Sequence, residues 1–496
     1  MQKGAQRCII AFMEETVSKN TEEIEVEKRE RAQYVKMTQK KMSRLVIGLG
    51  IPTMLSMMVT SLYNLADTAF VSRLGDSAIA AVSNLLALMS IIQAVGFTFG
   101  MGSGSIVSRL LGKRDRKGAD RVASSTFAIA ALCGGLITLF GLIFLTPLMK
   151  LFGSTNPETL AYAKDYAVYI LISAPFMCMS FVMNNVLRAE GKAVLSMIGL
   201  VVGAVVNVGL DPLLIFVFGL GVKGAAIATC SSQVISFSVL LFMFCIRKTV
   251  VRLSVRAVAF KCKVYLDVIA TGFPSFCRQI LASVCTVLLM NAANAYGGDA
   301  AQAALGVVNK MFMLAFSISL GIGQGYQPVL GYNYSAKHFD RVRLAYLFTL
   351  GFSTALMAGF AALCAILAPW IMQAFSLSAQ AKEIGAITLR LQCITMPLLP
   401  LNFMAGLTYQ VVGNKAVASL ISISRQGLFY IPSVLLLPYL FQLRGIEACQ
   451  AVSDFFAFFF AIPFTLAFFK TLKKESAKAQ EAPLEKEGIR DGGLEE

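Results

Sequence analysis

The chain has 496 residues, 56% hydrophobic and 15% charged, with mean hydropathy +0.68 and a formal net charge of +16. Soluble globular chains carry about 25% charged residues, so the composition excludes an ordinary soluble domain. The positive charge could suit nucleic acid, but its placement along the chain argues against that partner.

In chain order, residues 1–43 form a predicted cytoplasmic tail rich in Glu, Lys and Arg. Its one apolar run, Cys8–Met13, is too short and too early for the core of a signal peptide, and Met13 and Met37 each offer an alternative start. Apolar stretches of about 20 residues then predict twelve membrane helices. The first six run roughly 45–71, 78–108, 122–149, 163–186, 194–218 and 222–246. A basic segment, 247–263, follows and reads as an amphipathic cytoplasmic connector. The second six run roughly 264–295, 302–330, 343–370, 384–408, 416–440 and 445–470. A charged tail, 471–496, closes the chain and is expected to be disordered. The fold class is an all-α polytopic membrane protein with two six-helix lobes, 44–246 and 264–470.

Lys and Arg cluster in every second connection. Arg109, Lys113, Arg114, Arg116, Lys117 and Arg121 lie between the second and third helices. Arg247, Lys248, Arg252, Arg256, Lys261 and Lys263 lie between the sixth and seventh, and Lys337, Arg341 and Arg343 between the eighth and ninth. The alternate connections hold only scattered Arg73, Lys150, Lys164, Lys223, Lys382 and Arg444. This is the positive-inside asymmetry. It places both termini, including basic Lys470, Lys473, Lys474 and Lys478, in the cytoplasm.

The two sets of helices repeat one another. IPTMLSMMV aligns with FPSFCRQIL, which matches Pro52 to Pro274. Gly75-Asp76 matches Gly298-Asp299, GMGSGSIVSRLLG matches GIGQGYQPVLG, and Asp120-Arg121-Val122 matches Asp340-Arg341-Val342. An even number of helices separates the copies. The halves are therefore parallel repeats about an axis along the membrane normal, and such halves typically enclose a central site.

Asp67 lies in the apolar run Ile47–Val71 and Asp211 in Ala193–Phe218. A carboxylate at bilayer depth is costly unless it is paired, protonated or facing water, and by default it marks an ion, proton or substrate path. Asp67 and Asp211 lie roughly 30 and 27 Å from the cytoplasmic ends of their helices, and Thr229 roughly 10 Å from the outer end of its own. All three belong to the outer half of the bilayer. Asn207 and Asp211, at i and i+4, share one helix face. Hard oxygens suit Na+, and two close carboxylates can share a proton. The bland alternative is that these groups only hold helices together.

YNLADTAFVSRLG in the first helix, GMGSGS in the second, NVGLDPLLIF in the fifth and GVKGAAIAT in the sixth resemble the multidrug and toxic compound extrusion (MATE) family. The likeness covers nearly all of 44–470. SISRQGLFYIP and AVSDFFAF resemble the branch common in Gram-positive bacteria. The resemblance implies two lobes packed in a V and antiport of organic, mostly cationic, compounds against H+ or Na+ at a bacterial plasma membrane. It implies a cation or proton site at Asp67, Asn207, Asp211 and Thr229, and a bend in the first helix at Pro52 that responds to the charge on the acid. A static kink at Pro52 is the competing reading.

One branch of that family carries acids in the seventh and tenth helices, where this chain has Arg278 and Gln279, then Arg390 and Gln392. Asp454 and Arg425 instead enter their helices from opposite sides to about the same depth, roughly 13 Å. They are expected to pair near the midplane. The glycine string at Gly96, Gly100, Gly102 and Gly104 lacks a following GK[ST] and suits close helix packing better than a phosphate loop. With no ATP-binding motif, no cofactor is expected beyond the coupling ion. The eleven cysteines form no CxxC pair, and the one histidine, His338, sits in a basic loop. The partners expected are the lipid bilayer and small organic substrates, with no nucleic acid, and the chain is expected to be a monomer. A lipid or lipid-linked sugar flippase would want clustered basic residues in its cavity, for which only Arg278, Arg390 and Arg425 are candidates. An enzyme would need a catalytic set that the sequence lacks.

Overall fold

A computed structural model describes residues 26–74, 76–153, 156–246, 249–375 and 377–481. The predicted apolar run Cys8–Met13, Gly75 of the repeat, Arg247 and Lys248 of the connector, and tail residues 482–496 lie outside the described residues. Among those described there is no strand. The first lobe comprises α1 (Met42–Val71), α2 (Asp76–Gly112), α3 (Arg116–Ile143), α4 (Pro157–Ala189), α5 (Ala193–Val217) and α6 (Gly221–Cys245). In the second lobe, one helical run, Cys262–Ser335, breaks at Gly298 (φ 62°) into α7 and α8. Then come α9 (Phe339–Ala374) and α10 (Ala379–Val412). A last run, from Lys415 to Glu481, breaks at Gln442 (φ 50°) into α11 and α12. Ten runs are long and apolar enough to span a bilayer, and the two broken ones bring the crossings to twelve.

The local signals explain the connections. Asp115 accepts a hydrogen bond from the Gly118 amide at the start of α3, and Asn156 one from the Glu158 amide at the start of α4, with Pro157 in the first turn. Ser378 and Asn414 cap α10 and α11 in the same way. Each side-chain acceptor satisfies a donor that the helix cannot. Gly298 turns the α7–α8 hairpin in a backbone region open to glycine. Two helices depart from α geometry: α5 finishes in a π-helical turn, Leu213–Val217, and α11 passes through another, Ser424–Tyr430.

The lobes meet along glycines in the half of the molecule nearest the termini. A Cβ at Gly325 would lie 2.5 Å from the Gly50 Cα, and one at Gly112 would lie 2.8 Å from the Tyr332 Cα. Gly102 faces Val268 and Gly272 of α7, and Gly321 faces Met54 of α1. The alternate glycines of each string turn to their own lobe: Gly100 and Gly104 to Asn185 of α4, and Gly323 to Phe403 of α10. Positions two apart on a helix point to opposite sides, and positions four apart to the same side. One short string thus packs one helix into both lobes. Polar clasps reinforce the seam. Arg188, 3% exposed, donates to Gln324 across the lobes and to Ser196 at 3.0 Å, and Gln327 donates to Ser105 at 3.0 Å.

Three segments depart from the sequence-based expectation. The tail 1–43 is not featureless: residues 26–39 form a helix. Gln33 of that helix donates to the Glu190 carbonyl at 2.5 Å, and the Met37 carbonyl accepts from Asn333 at 3.1 Å, so it touches both lobes. Arg114 stacks over Tyr34 at 4.4 Å. The final helix continues through 471–481 rather than ending at 470. The connector is non-helical apart from one turn, Val255–Ala257. Buried Glu190 accepts from the amides of Val250 (2.9 Å) and Val251 (2.8 Å), while Asp120 accepts from the Arg252 amide (2.7 Å). Local charge hid these segments, because tertiary partners rather than apolar pattern hold them.

Candidate functional site

The first lobe gathers its polar residues toward the face away from the termini. Asp67 comes from α1, Asn207 and Asp211 from one face of α5, and Thr229 from the first two turns of α6. Asp211, Asn207 and Thr229 are buried, at 0%, 1% and 5% exposed, and Asp67 is half-buried. Asn207 donates to the Thr229 hydroxyl at 3.4 Å. Asp67 and Asp211 lie within electrostatic reach of one another. All four sequence-predicted residues are therefore brought together.

What distinguishes the cluster is what it lacks. Both carboxylate oxygens of Asp211, Oδ1 of Asp67 and Oδ1 of Asn207 are buried without a hydrogen-bond donor among the described residues. A buried acceptor left unpaired costs about 1–3 kcal/mol, and more when it is charged. Four such oxygens side by side, in a chain where more than nine-tenths of buried polar groups should be satisfied, form a pocket shaped for a cation or a proton. All the donors are hard oxygens, the set that suits Na+. Among the described residues there is no cluster of three or more His, Cys, Asp or Glu that would hold a transition metal.

Three further residues belong to the cluster. Tyr63 and Tyr166 both lie within electrostatic reach of Asp67 and Asp211. Gln233 bonds the Tyr63 hydroxyl. The Tyr166 hydroxyl stands beside Thr229, buried, without closing a hydrogen bond. Tyr63 is four residues before Asp67, and Gln233 four after Thr229, so helix-face spacing from the predicted residues could have found both. Tyr166 has no such signal, since α4 carries buried residues along its whole length.

Pro52 sits inside α1, which stays helical through it. Thr53, Ser56 and Thr60 return their hydroxyls to the carbonyls of Leu49, Thr53 and Ser56 at 2.8–2.9 Å. Back-bonding of this kind bends helices, and it surrounds the one position of the α1 ladder that lacks an N–H. Pro274 is buried at the matching place in α7.

In the second lobe, Arg425 Nε donates to Asp454 Oδ1 at 2.8 Å, with the two side chains 9% and 1% exposed. Gln450 donates to the same oxygen at 3.0 Å, and Ser453 donates to the Arg425 carbonyl at 2.7 Å. Arg425 lies in the π-helical turn of α11. Arg390 is exposed, and His338 stands exposed ahead of α9.

A family model described as MatE matches residues 52–213 and 274–436, one match in each lobe. The matched segments begin 222 residues apart and end 223 apart, in step with the internal repeat. The multidrug export protein MepA of Staphylococcus saprophyticus is 29% identical over 406 residues, covering 81% of this chain and 88% of that protein. A solved structure described as the outward-facing conformation of a multidrug resistance MATE family transporter is 27% identical, with a TM-score of 0.85 over 89% of this chain and 98% of the other. A transporter from Pyrococcus furiosus, described as having a binding pocket of reverse polarity that suggests a different function, is 26% identical, with a TM-score of 0.84 over 88% and 98% of the two chains.

Proposed function

The chain belongs to the MATE family of membrane transporters, and from that membership we propose that it exports small organic compounds, mostly cationic, in exchange for H+ or Na+. It works by alternating access, as a monomer in a bacterial plasma membrane with both termini in the cytoplasm. The relatives named multidrug export proteins support the substrate class. The clustering of Arg and Lys in alternate connections supports the orientation.

The observation that carries the coupling reading is the set of unpartnered oxygens on Asp67, Asn207 and Asp211. Two carboxylates in a medium of low dielectric constant cannot both stay bare, so a cation or a proton must enter before another leaves. That requirement is exchange. A cation between Asp67 and Asp211 ties α1 to α5, and its departure frees the outer part of α1 to swing about Pro52. Thr229 and Asn207 supply neutral oxygens, while Tyr63 and Tyr166 exclude water from one side and offer hydroxyls.

The test uses purified protein in vesicles, with pH and Na+ gradients imposed separately and ethidium efflux as the readout. Asp67→Asn and Asp211→Asn should each abolish gradient-driven efflux at unchanged protein yield. Wild-type rates in either variant would remove that residue from the coupling site. The gradient that drives the wild type identifies the ion.

A further inference from the structure

The interior of the second lobe carries the opposite charge to that of the first. A cleft of about 390 Å³ between α7, α8, α10 and α11 is lined by Arg278, Phe316, Asn402, Phe403, Arg425 and Gln426 among others. Arg425 is 7% exposed, and its bond to Asp454 uses Nε. Its Nη2 remains buried with no partner, as does Oε1 of the neighbouring Gln426. Arg278 makes no ion pair among the described residues and stacks over Phe403 at 5.2 Å. The two guanidinium groups lie within electrostatic reach of one another. Two cations therefore share one largely apolar cleft with a single carboxylate.

Like charges held close in a desolvated place raise each other's energy, and the aromatic faces of Phe312 (5.1 Å), Phe316 (5.8 Å) and Phe403 offset only part of that. An anion between the forks replaces the repulsion with charge-assisted hydrogen bonds, and planar guanidinium matches carboxylate and phosphate oxygens in particular. Arg278 cannot be explained as helix glue. It makes no hydrogen bond or ion pair that ties α7 to a neighbour, and an apolar residue of its size would pack against Phe403 at lower cost. We propose that this cleft binds the anionic head of an amphiphilic ligand, a carboxylate or phosphate group carried on an apolar or aromatic body that rests on Phe316 and Phe403. The head comes either from a free organic anion or from an anionic lipid.

The full chain in phosphatidylcholine nanodiscs, titrated with 2-naphthoate and with inorganic phosphate, tests the assignment without any transport step, so failure of the efflux reading leaves the outcome intact. Saturable naphthoate binding is expected. Arg278→Gln should weaken it about tenfold or more, the loss of one charge-assisted contact, and Arg278→Lys, which keeps charge but not the fork, should recover part. Ethidium binding should be the same in all three. Adding phosphatidylglycerol to the nanodiscs separates the two sources. Competition with naphthoate, together with phosphatidylglycerol retained by the wild type but not by Arg278→Gln in native mass spectrometry, assigns the site to a lipid headgroup. Naphthoate binding untouched by phosphatidylglycerol assigns it to a free anion. Equal naphthoate affinity in the wild type and Arg278→Gln overturns the proposal. So does the absence of both naphthoate binding and retained phosphatidylglycerol, which would leave the guanidinium groups held by aromatic faces alone.

Discussion

Separating Arg425 from Asp454 should cost more than removing both. At 2.8 Å and an effective dielectric constant of about 20, their attraction is about 6 kcal/mol. Desolvation of two nearly inaccessible groups offsets most of that gain. A single substitution removes the attraction and keeps the desolvation of the survivor. Arg425→Gln strands Asp454, whose side chain is 1% exposed and keeps only Gln450. Asp454→Asn strands Arg425 beside Arg278, with the rings of Phe312 and Phe316 as partial compensation. Each should lower stability by about 3–5 kcal/mol, Arg425→Gln by the larger amount. The double variant, with two neutral amides able to bond each other, should fall about 2–3 kcal/mol short of the summed losses. Unfolding of the purified protein by increasing mole fractions of sodium dodecyl sulfate, followed by intrinsic fluorescence and far-UV circular dichroism, reads all four corners of the cycle. Strictly additive losses would refute mutual neutralisation and leave Asp454 as a second coupling acid.

Two further outcomes follow from the geometry. Tyr166→Phe removes a buried hydroxyl that has no partner, so stability should hold or rise by about 1 kcal/mol while ion-driven efflux falls; a loss of both would make Tyr166 a packing residue. Gly272→Leu drives a side chain against the Thr98 backbone across the lobe seam. The overpacking penalty of about 1–3 kcal/mol falls on the closed arrangement, and maleimide labelling of Ser105→Cys, in a background without native cysteines, should speed up about fivefold or more. Unchanged labelling would show that the seam yields locally.

The sequence reveals Asp67 and Asp211 because a carboxylate in an apolar run is improbable unless it has work to do. Depth counting then brings in Thr229, and i,i+4 spacing brings in Asn207. The same reasoning brings Arg425 to Asp454. Tyr166 stays hidden because tyrosine is at home in a membrane core, and only the absence of a partner for its hydroxyl makes it unusual. Gly298 shows itself as a turn through its neighbours Gly297 and Asp299. Gln442 gives no sign, since nothing in its side chain favours a positive φ. Which helix meets which is also illegible from hydropathy, because a span that faces lipid on one side and protein on the other is apolar all round. The glycine strings were the one local clue to those pairings. Helix 26–39 and the extended connector escaped because polar and backbone contacts, rather than an apolar stripe, fix them.

The π-helical turns at Leu213–Val217 and Ser424–Tyr430 bear on how this protein can change over generations. A π turn accommodates one residue more than the α ladder would, and it shifts the angular phase of everything beyond it by about 100°. Deleting one residue from either stretch would heal the ladder while rotating the downstream helix to a different set of neighbours. For α11 that rotation would move Tyr430 and Val434, both packed beside Cys285 and Cys449, relative to Arg425. Length at these two places is therefore a variable in its own right. Related chains that handle different compounds are expected to differ here by single-residue gaps, a class of change that substitution scanning never samples.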